Sequence, residues 1–289
     1  MTINTEDSRR RRRLQSCVTQ LHPSPRFDSI VPSSFFKVST FSVPVPGCEP
    51  DILKNEFNRL NPDQKDAIVK VLSAQDFALI QGLPGTGKTS TVSFLTRLLV
   101  SQGKRVLLTS YTHSAVDTLF CKLLDSGLTI SGFIVRIGNE SSCHPRVHSI
   151  LAKNIACTAE GSASADQTIP VEKPNINFLH DTVSSAKVVG VTALTAPRSP
   201  LLSGQHFDYV IVDEAGQISQ PAILGAMTSA DKFILVGDHM QLPPLVRSQV
   251  AEQEGVLCDI CIVYTTLMKA PDPLHLSLRF WSINAKPLS

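Results

Sequence analysis

The sequence predicts an α/β fold, a mostly parallel sheet with helices on both faces. Two observations predict it. Short apolar runs at Phe77–Ile80, Arg105–Ser110, Lys187–Val191, Asp208–Val212 and Lys232–Val236 alternate with helical stretches, and Phe133–Ile137 reads as a further strand. The first run also opens directly into Gly82-Leu-Pro-Gly-Thr-Gly-Lys-Thr89, which has the form G-x-x-x-x-G-K-[ST], and Ser90–Val100 after it reads as a helix. Strand, glycine-rich loop and helix in that order give the motif a physical setting.

Upstream, residues 1–50 are rich in Ser and Pro and show little periodicity, so irregular structure is expected there. A helix begins at Leu60-Asn-Pro-Asp-Gln64. Asn61 caps it, Pro62 suits its first turn, Gln64 falls at the capping-box position, and Ala67, Ile68, Val71 and Leu72 form its apolar face. After Arg105–Ser110 a helix is expected from about Ser114 to Leu124. Gly138–Ala186 has the least ordered composition, with low complexity at Ala159–Thr168, and reads as an insertion or long connector.

Composition bounds the class. The 289 residues are 42% hydrophobic and 18% charged, which describes a folded globular protein rather than a disordered one. Net charge is +2, but without the five-residue run Arg9–Arg13 the chain holds 22 basic against 25 acidic residues. Charge therefore gives no case for nucleic-acid binding by the folded part. The arginine run is a nuclear-import patch, a phosphate-contacting arm or a solvated tail. A nuclear location is expected, otherwise a cytoplasmic one, with no signal peptide. No run of 18 apolar residues occurs, so no membrane span is expected. Seven cysteines point to free thiols in a reducing compartment. Cys258-x-x-Cys261 lacks a second pair, and Cys143, His144 and His148 read as ordinary loop residues rather than metal ligands.

The chemistry gathers at strand ends. In the glycine-rich loop, backbone N–H groups close around a polyphosphate and the helix N-terminus adds its dipole. Gly82, Pro84, Gly85, Thr86, Gly87, Lys88, Thr89 and Ser90 form the expected nucleotide-contacting set, with Lys88 reaching the β- and γ-phosphates and Thr89 holding Mg²⁺. Phe207-Asp-Tyr-Val-Ile-Val-Asp213-Glu214 ends a strand on two carboxylates, of which Asp213 suits the metal and Glu214 the catalytic base. Lys232–Val236 runs into Gly237-Asp-His-Met-Gln241, where Gln241 could sense the γ-phosphate at the carboxyl ends of the strands.

Four phrases carry a resemblance: Gly-Thr-Gly-Lys-Thr at 85–89, Ser-Tyr-Thr-His-Ser-Ala-Val-Asp at 110–117, Val-Asp-Glu-Ala-Gly-Gln-Ile-Ser-Gln-Pro at 212–221 and Gly-Asp-His-Met-Gln-Leu-Pro-Pro-Leu-Val at 237–246. In this order, residues 60–246 resemble the first RecA-like domain of a superfamily 1 helicase of the 5′-to-3′ kind. The match falls closest to the helicase part of the DNA replication ATP-dependent helicase/nuclease family. The resemblance implies ATP and Mg²⁺ as cofactors and single-stranded nucleic acid, DNA rather than RNA, as partner. It also implies that Gln64 reads adenine, which competes with its capping role. Ser110, Tyr111, Thr112, His113 and Ser114 would line the single-strand groove, Thr192 and Thr195 would touch the strand's backbone, and Gln241 would couple nucleotide to strand.

The implied organisation is a basic N-terminal extension and linker (1–55), a RecA-like P-loop domain (56–255) with a variable insertion (138–186), and a divergent tail (256–289). In that tail the family's Gln-Tyr-Arg phrase is present only as Leu276-Ser-Leu-Arg279-Phe280. No second RecA-like domain is read, so the chain is expected to be a truncated form that binds ATP, hydrolyses it weakly and does not unwind duplex. An RNA helicase of the nonsense-mediated-decay type, a non-enzymatic strand-binding fragment and a P-loop ATPase outside the helicases stay open.

Overall fold

A computed structural model describes residues 45–129, 132–161 and 175–238. Arg9–Arg13, Gln241, Cys258, Cys261 and Arg279 lie outside them. In chain order the elements are α1 (Pro50–Arg59), α2 (Pro62–Ser73), β1 (Phe77–Gln81), α3 (Lys88–Ser101), β2 (Val106–Ser110), α4 (His113–Asp125) and β3 (Ile134–Arg136). Then follow α5 (Ala152–Gly161), α6 (Ile176–Ser185), β4 (Val188–Thr192), β5 (Phe207–Asp213), α7 (Gln220–Met227) and β6 (Ala230–Gly237).

Six strands form one sheet in the order β1-β6-β5-β2-β4-β3, and every pairing is parallel. Parallel neighbours need crossover connections, which the helices supply on both sides. On one face Ala78, Ile80, Val106, Leu108, Ile211 and Ile234 pack under α1–α4; on the other Leu79, Leu107, Val189, Val210 and Leu235 pack under α5–α7. Adjacent strand residues thus serve opposite faces, and apolar runs on both give the continuous hydrophobicity that the sequence displays. The predicted RecA-like α/β sheet is present.

Two features hold the helices close. Gly190 of β4 lies under Phe120 of α4, where an added Cβ would stand 2.0 Å from the ring. Arg97, buried in the middle of α3, donates to the Gly47 carbonyl at 3.0 Å and to Glu56 Oε2 at 2.5 Å. Those bonds tie α1 and the segment before it to α3.

The structure differs from the sequence reading in two places. Pro50–Arg59 is helical, with Leu53 and Phe57 buried four residues apart, whereas the sequence reading placed a low-order linker up to residue 55 and its first helix from Leu60 on. The described parts of 138–186 are not a bare connector. They hold 3₁₀ turns at Glu140–Ser142 and Pro145–Ile150 as well as α5 and α6, and Val147, Ile150, Leu151 and Ala152 are buried.

Candidate functional site

The loop between β1 and α3 turns on glycine. Gly85 and Gly87 take φ of 77° and 86°, in the left-handed region that suits glycine, and Gly87 is the N-cap of α3. A Cβ on Gly82 would meet Thr86 Oγ1 at 2.8 Å, and one on Gly87 would meet Gln64 Nε2 at 2.8 Å. The loop closes on itself: Lys88 Nζ donates to the carbonyls of Gly82 at 2.7 Å and Leu83 at 3.3 Å, and Thr86 Oγ1 donates to Leu83 O at 2.7 Å. Pro84 is exposed at the tip and Thr89 half-buried in the first turn of α3. Exposed Ser90 accepts from Lys122 Nζ of α4 at 2.9 Å.

Gln64 does two things at once. Its Oε1 accepts from Asn61 N at 3.1 Å while Asn61 Oδ1 accepts from Gln64 N at 2.8 Å, completing a capping box. Its Nε2 donates across to Thr86 O at 3.2 Å. The capping role is therefore realised, and the same amide reaches the glycine-rich loop.

Asp213 ends β5 almost fully buried, and its Oδ1 accepts from the Glu214 backbone N–H at 3.0 Å. Burial first, and the Glu214 charge second, push its carboxyl up to about 6, against opposing help from that N–H and from Lys88. A buried carboxylate with its pKa raised by burial and by a neighbouring negative charge suits a bound cation, so Asp213 fits Mg²⁺. Glu214 is the one non-glycine residue with positive φ among the described residues, at φ 52° and ψ 40°. Just after this turn Ala215 and Gly216 lie close to Gly237 at the end of β6, where a Cβ would come within 3.1 Å of Gly216 N.

Register lines up the strand ends. Ser110 of β2 stands level with Asp213 of β5 and Thr192 of β4. The residues expected in the strand groove divide. Tyr111 and Ser114 are exposed, whereas Ser110 is fully buried and its hydroxyl has no hydrogen-bond partner among the described residues. Thr112 caps α4 by accepting from Ala115 N at 3.2 Å, and buried Thr192 donates to Thr195 Oγ1 at 2.8 Å.

Residues 59–254 match the family model of the AAA domain. The chain belongs to that family. Over 206 residues it is 42% identical to the DNA replication ATP-dependent helicase/nuclease DNA2 of Xenopus laevis, covering 71% of this chain and 18% of that protein. It is 40% identical over 198 residues to the DNA2 helicase/nuclease of Saccharomyces cerevisiae, covering 68% of this chain and 12% of that protein. The chain thus spans less than a fifth of the length of these curated relatives. The resemblance drawn from the four phrases is borne out. The UvsW helicase of bacteriophage T4 is a distant structural neighbour, at TM-score 0.42 and 17% identity over 65% of this chain and 59% of that one.

In this AAA domain the sequence reading missed one cluster. Arg136 and Asp117 form a buried ion pair, Nε to Oδ1 at 2.8 Å, and Arg136 Nη2 lies 3.1 Å from His113 Nδ1. Asp117 Oδ2 also accepts from His144 N at 2.7 Å. The signal was an arginine in an otherwise apolar strand, since a buried charge requires a partner. Cys143 is buried beside it, with its carbonyl 3.2 Å from His148 Nε2.

Proposed function

We propose that this domain is the ATP-binding motor domain of a 5′-to-3′ DNA helicase that acts in DNA replication and repair in the nucleus. The observation that carries the reading is Asp213: a buried carboxyl at the end of β5, pushed up to about 6, that feels Lys88 of the glycine-rich loop. The relatives' replication helicase/nuclease names favour the DNA-directed reading.

In this reading Lys88 leaves the carbonyls of Gly82 and Leu83 to reach the β- and γ-phosphates, while N–H groups from Gly85 to Ser90 cradle them. Thr89 and Asp213 would hold Mg²⁺, which would supply charge neutralisation at the phosphates. Glu214 polarises the attacking water. Gln64 contacts adenine from the capped start of α2, and Gln241 senses the γ-phosphate. Tyr111, His113, Ser114 and Thr195 contact the single strand, with Ser110, Thr112 and Thr192 shaping the groove from beneath.

The domain by itself is a weak ATPase. Among the described residues Lys88 is the one cation that acts on Asp213, and an arginine from an opposing domain is worth roughly 10³–10⁵ in rate in phosphate-loop enzymes. The test is ATP turnover by the purified chain without nucleic acid, with single-stranded DNA and with single-stranded RNA, alongside strand displacement. Weak turnover that DNA stimulates more than RNA, without displacement, supports the reading. Preference for RNA, or absence of nucleotide binding, overturns it.

A further inference from the structure

Arginine decides the state of the histidine beside it. A guanidinium carries only donors, so the 3.1 Å contact from Arg136 Nη2 makes His113 Nδ1 an acceptor. An imidazole that accepts at Nδ1 is neutral and carries its proton on Nε2. Burial lowers the His113 pKa, the Arg136 charge lowers it further, and Asp117 opposes both more weakly. Nε2 makes no hydrogen bond among the described residues, and the ring is only half-buried, beside exposed Tyr111 and Ser114 at the carboxyl end of β2.

The arginine itself is fixed on every side. Its Nε is bound to Asp117, Nη1 donates to Ile137 O at 2.5 Å and lies 3.5 Å from Gly190 O, and Asp117's second oxygen is occupied by His144 N. This cluster draws α4, β3, β4 and the turn at His144 together. A buried ion pair is weak evidence of stability, because desolvation offsets most of its attraction. It is, however, well suited to hold one side chain in one orientation.

We propose that Arg136, held by Asp117, is a positioning residue that fixes His113 as an Nε2–H donor to an acceptor on the bound single strand. The donor's target rests on the single-strand reading above. The tautomer does not.

Two measurements test this. Two-bond ¹H–¹⁵N spectra of the full chain with ¹⁵N-labelled histidine should show His113 as the neutral Nε2–H tautomer at pH 7.5, and Arg136→Gln should shift it to mixed tautomers. Binding of a labelled single-stranded DNA oligonucleotide should weaken about tenfold in Arg136→Gln and in His113→Phe, the scale of one lost charge-assisted hydrogen bond. His113→Gln, which places an amide donor near the Nε2 position, should keep most of the affinity. A Nδ1–H or doubly protonated His113 in the parent chain overturns the proposal, as does equal loss in His113→Gln and His113→Phe. If Arg136→Gln fails to fold, the parent spectrum and the two His113 variants still decide. If the parent chain binds no oligonucleotide, the donor's target falls with the single-strand reading, while the spectrum judges the positioning separately.

Discussion

Lys88 Nζ donates to the carbonyl of Gly82 at 2.7 Å, so the cation of the glycine-rich loop is held by the loop's own backbone. That contact keeps the ammonium at the loop's mouth, and a phosphate has to displace it. Lys88→Ala should therefore cost little stability, since Leu83 is exposed and Gly82 only half-buried, which leaves water able to replace the ammonium at both carbonyls. It should cost nucleotide affinity the ~1.5–3 kcal/mol of a bond to a charged group, roughly tenfold to a hundredfold. Calorimetric titration with ATP·Mg²⁺ checks this, and unchanged affinity would remove Lys88 from the phosphates.

Gln64 offers a way to separate capping from nucleotide recognition. Gln64→Ala loses the reciprocal bond to Asn61 N and the bond to Thr86 O, and should lower stability by about 1 kcal/mol, as lost caps do. Gln64→Glu keeps an oxygen for Asn61 N, and a carboxylate in the first turn of α2 suits the helix dipole. It cannot donate to Thr86 O or to a purine. Melting should thus distinguish Gln64→Ala from the parent and leave Gln64→Glu near it, whereas both should bind ATP more weakly. Equal ATP affinity in parent and Gln64→Glu would refute an adenine contact.

The contrast between Gln64 and Arg136 shows how far the sequence could be read. Gln64 sits in a local pattern, three residues from Asn61, and both the capping box and the loop beside it follow from spacing. The strands were legible for a similar reason, because buried parallel strands are continuous apolar runs and most of these end at glycine or a polar residue. Arg136 meets Asp117 from 19 residues away and His113 from 23, across a sheet edge that no local pattern encodes. Helices α5 and α6 were hidden because composition suggests a linker, while order there comes from burying Val147, Ile150 and Ala156 and Val183. The positive φ of Glu214 likewise sits at a turn whose next residues lie close to Gly237 on a neighbouring strand, a proximity that no local pattern encodes.

Asp213 makes stability depend on pH in a stated direction. Its carboxyl is raised from 3.8 to about 6, so between those values the folded state holds the proton more tightly than the unfolded chain does. This group's contribution therefore falls as pH rises from 3.8 to about 6, and above that the folded state carries a buried charge costing roughly 3 kcal/mol. Asp213→Asn should raise the melting temperature of the nucleotide-free chain at pH 7.5 by several degrees, at roughly 2–4 °C per kcal/mol. It should change little at acid pH, where the parent is also neutral. ATP·Mg²⁺ affinity of the parent should rise as pH passes through about 6, with proton uptake by buffer, and this dependence should vanish in the variant. A melting point unaffected at pH 7.5 would show that the buried carboxyl is already compensated.

Glu214 combines a strained backbone with the proposed base, and two substitutions pull those apart. Its φ of 52° lies where a side chain costs ~1–2 kcal/mol, and the residues that follow it, Ala215 and Gly216, lie close to Gly237. Glu214→Gln keeps the strain and removes the base, so nucleotide binding should persist while hydrolysis falls by roughly 10²–10⁴. Glu214→Gly removes both. Glycine elsewhere costs roughly 0.5–1 kcal/mol through the entropy it loses on folding, but here the relieved strain offsets that. The Glu214→Gly chain should accordingly melt at or above the parent temperature while being as inactive as Glu214→Gln. A clear drop in its melting point, measured beside Glu214→Gln as the control, would mean that the Glu214 side chain stabilises the turn rather than enduring it.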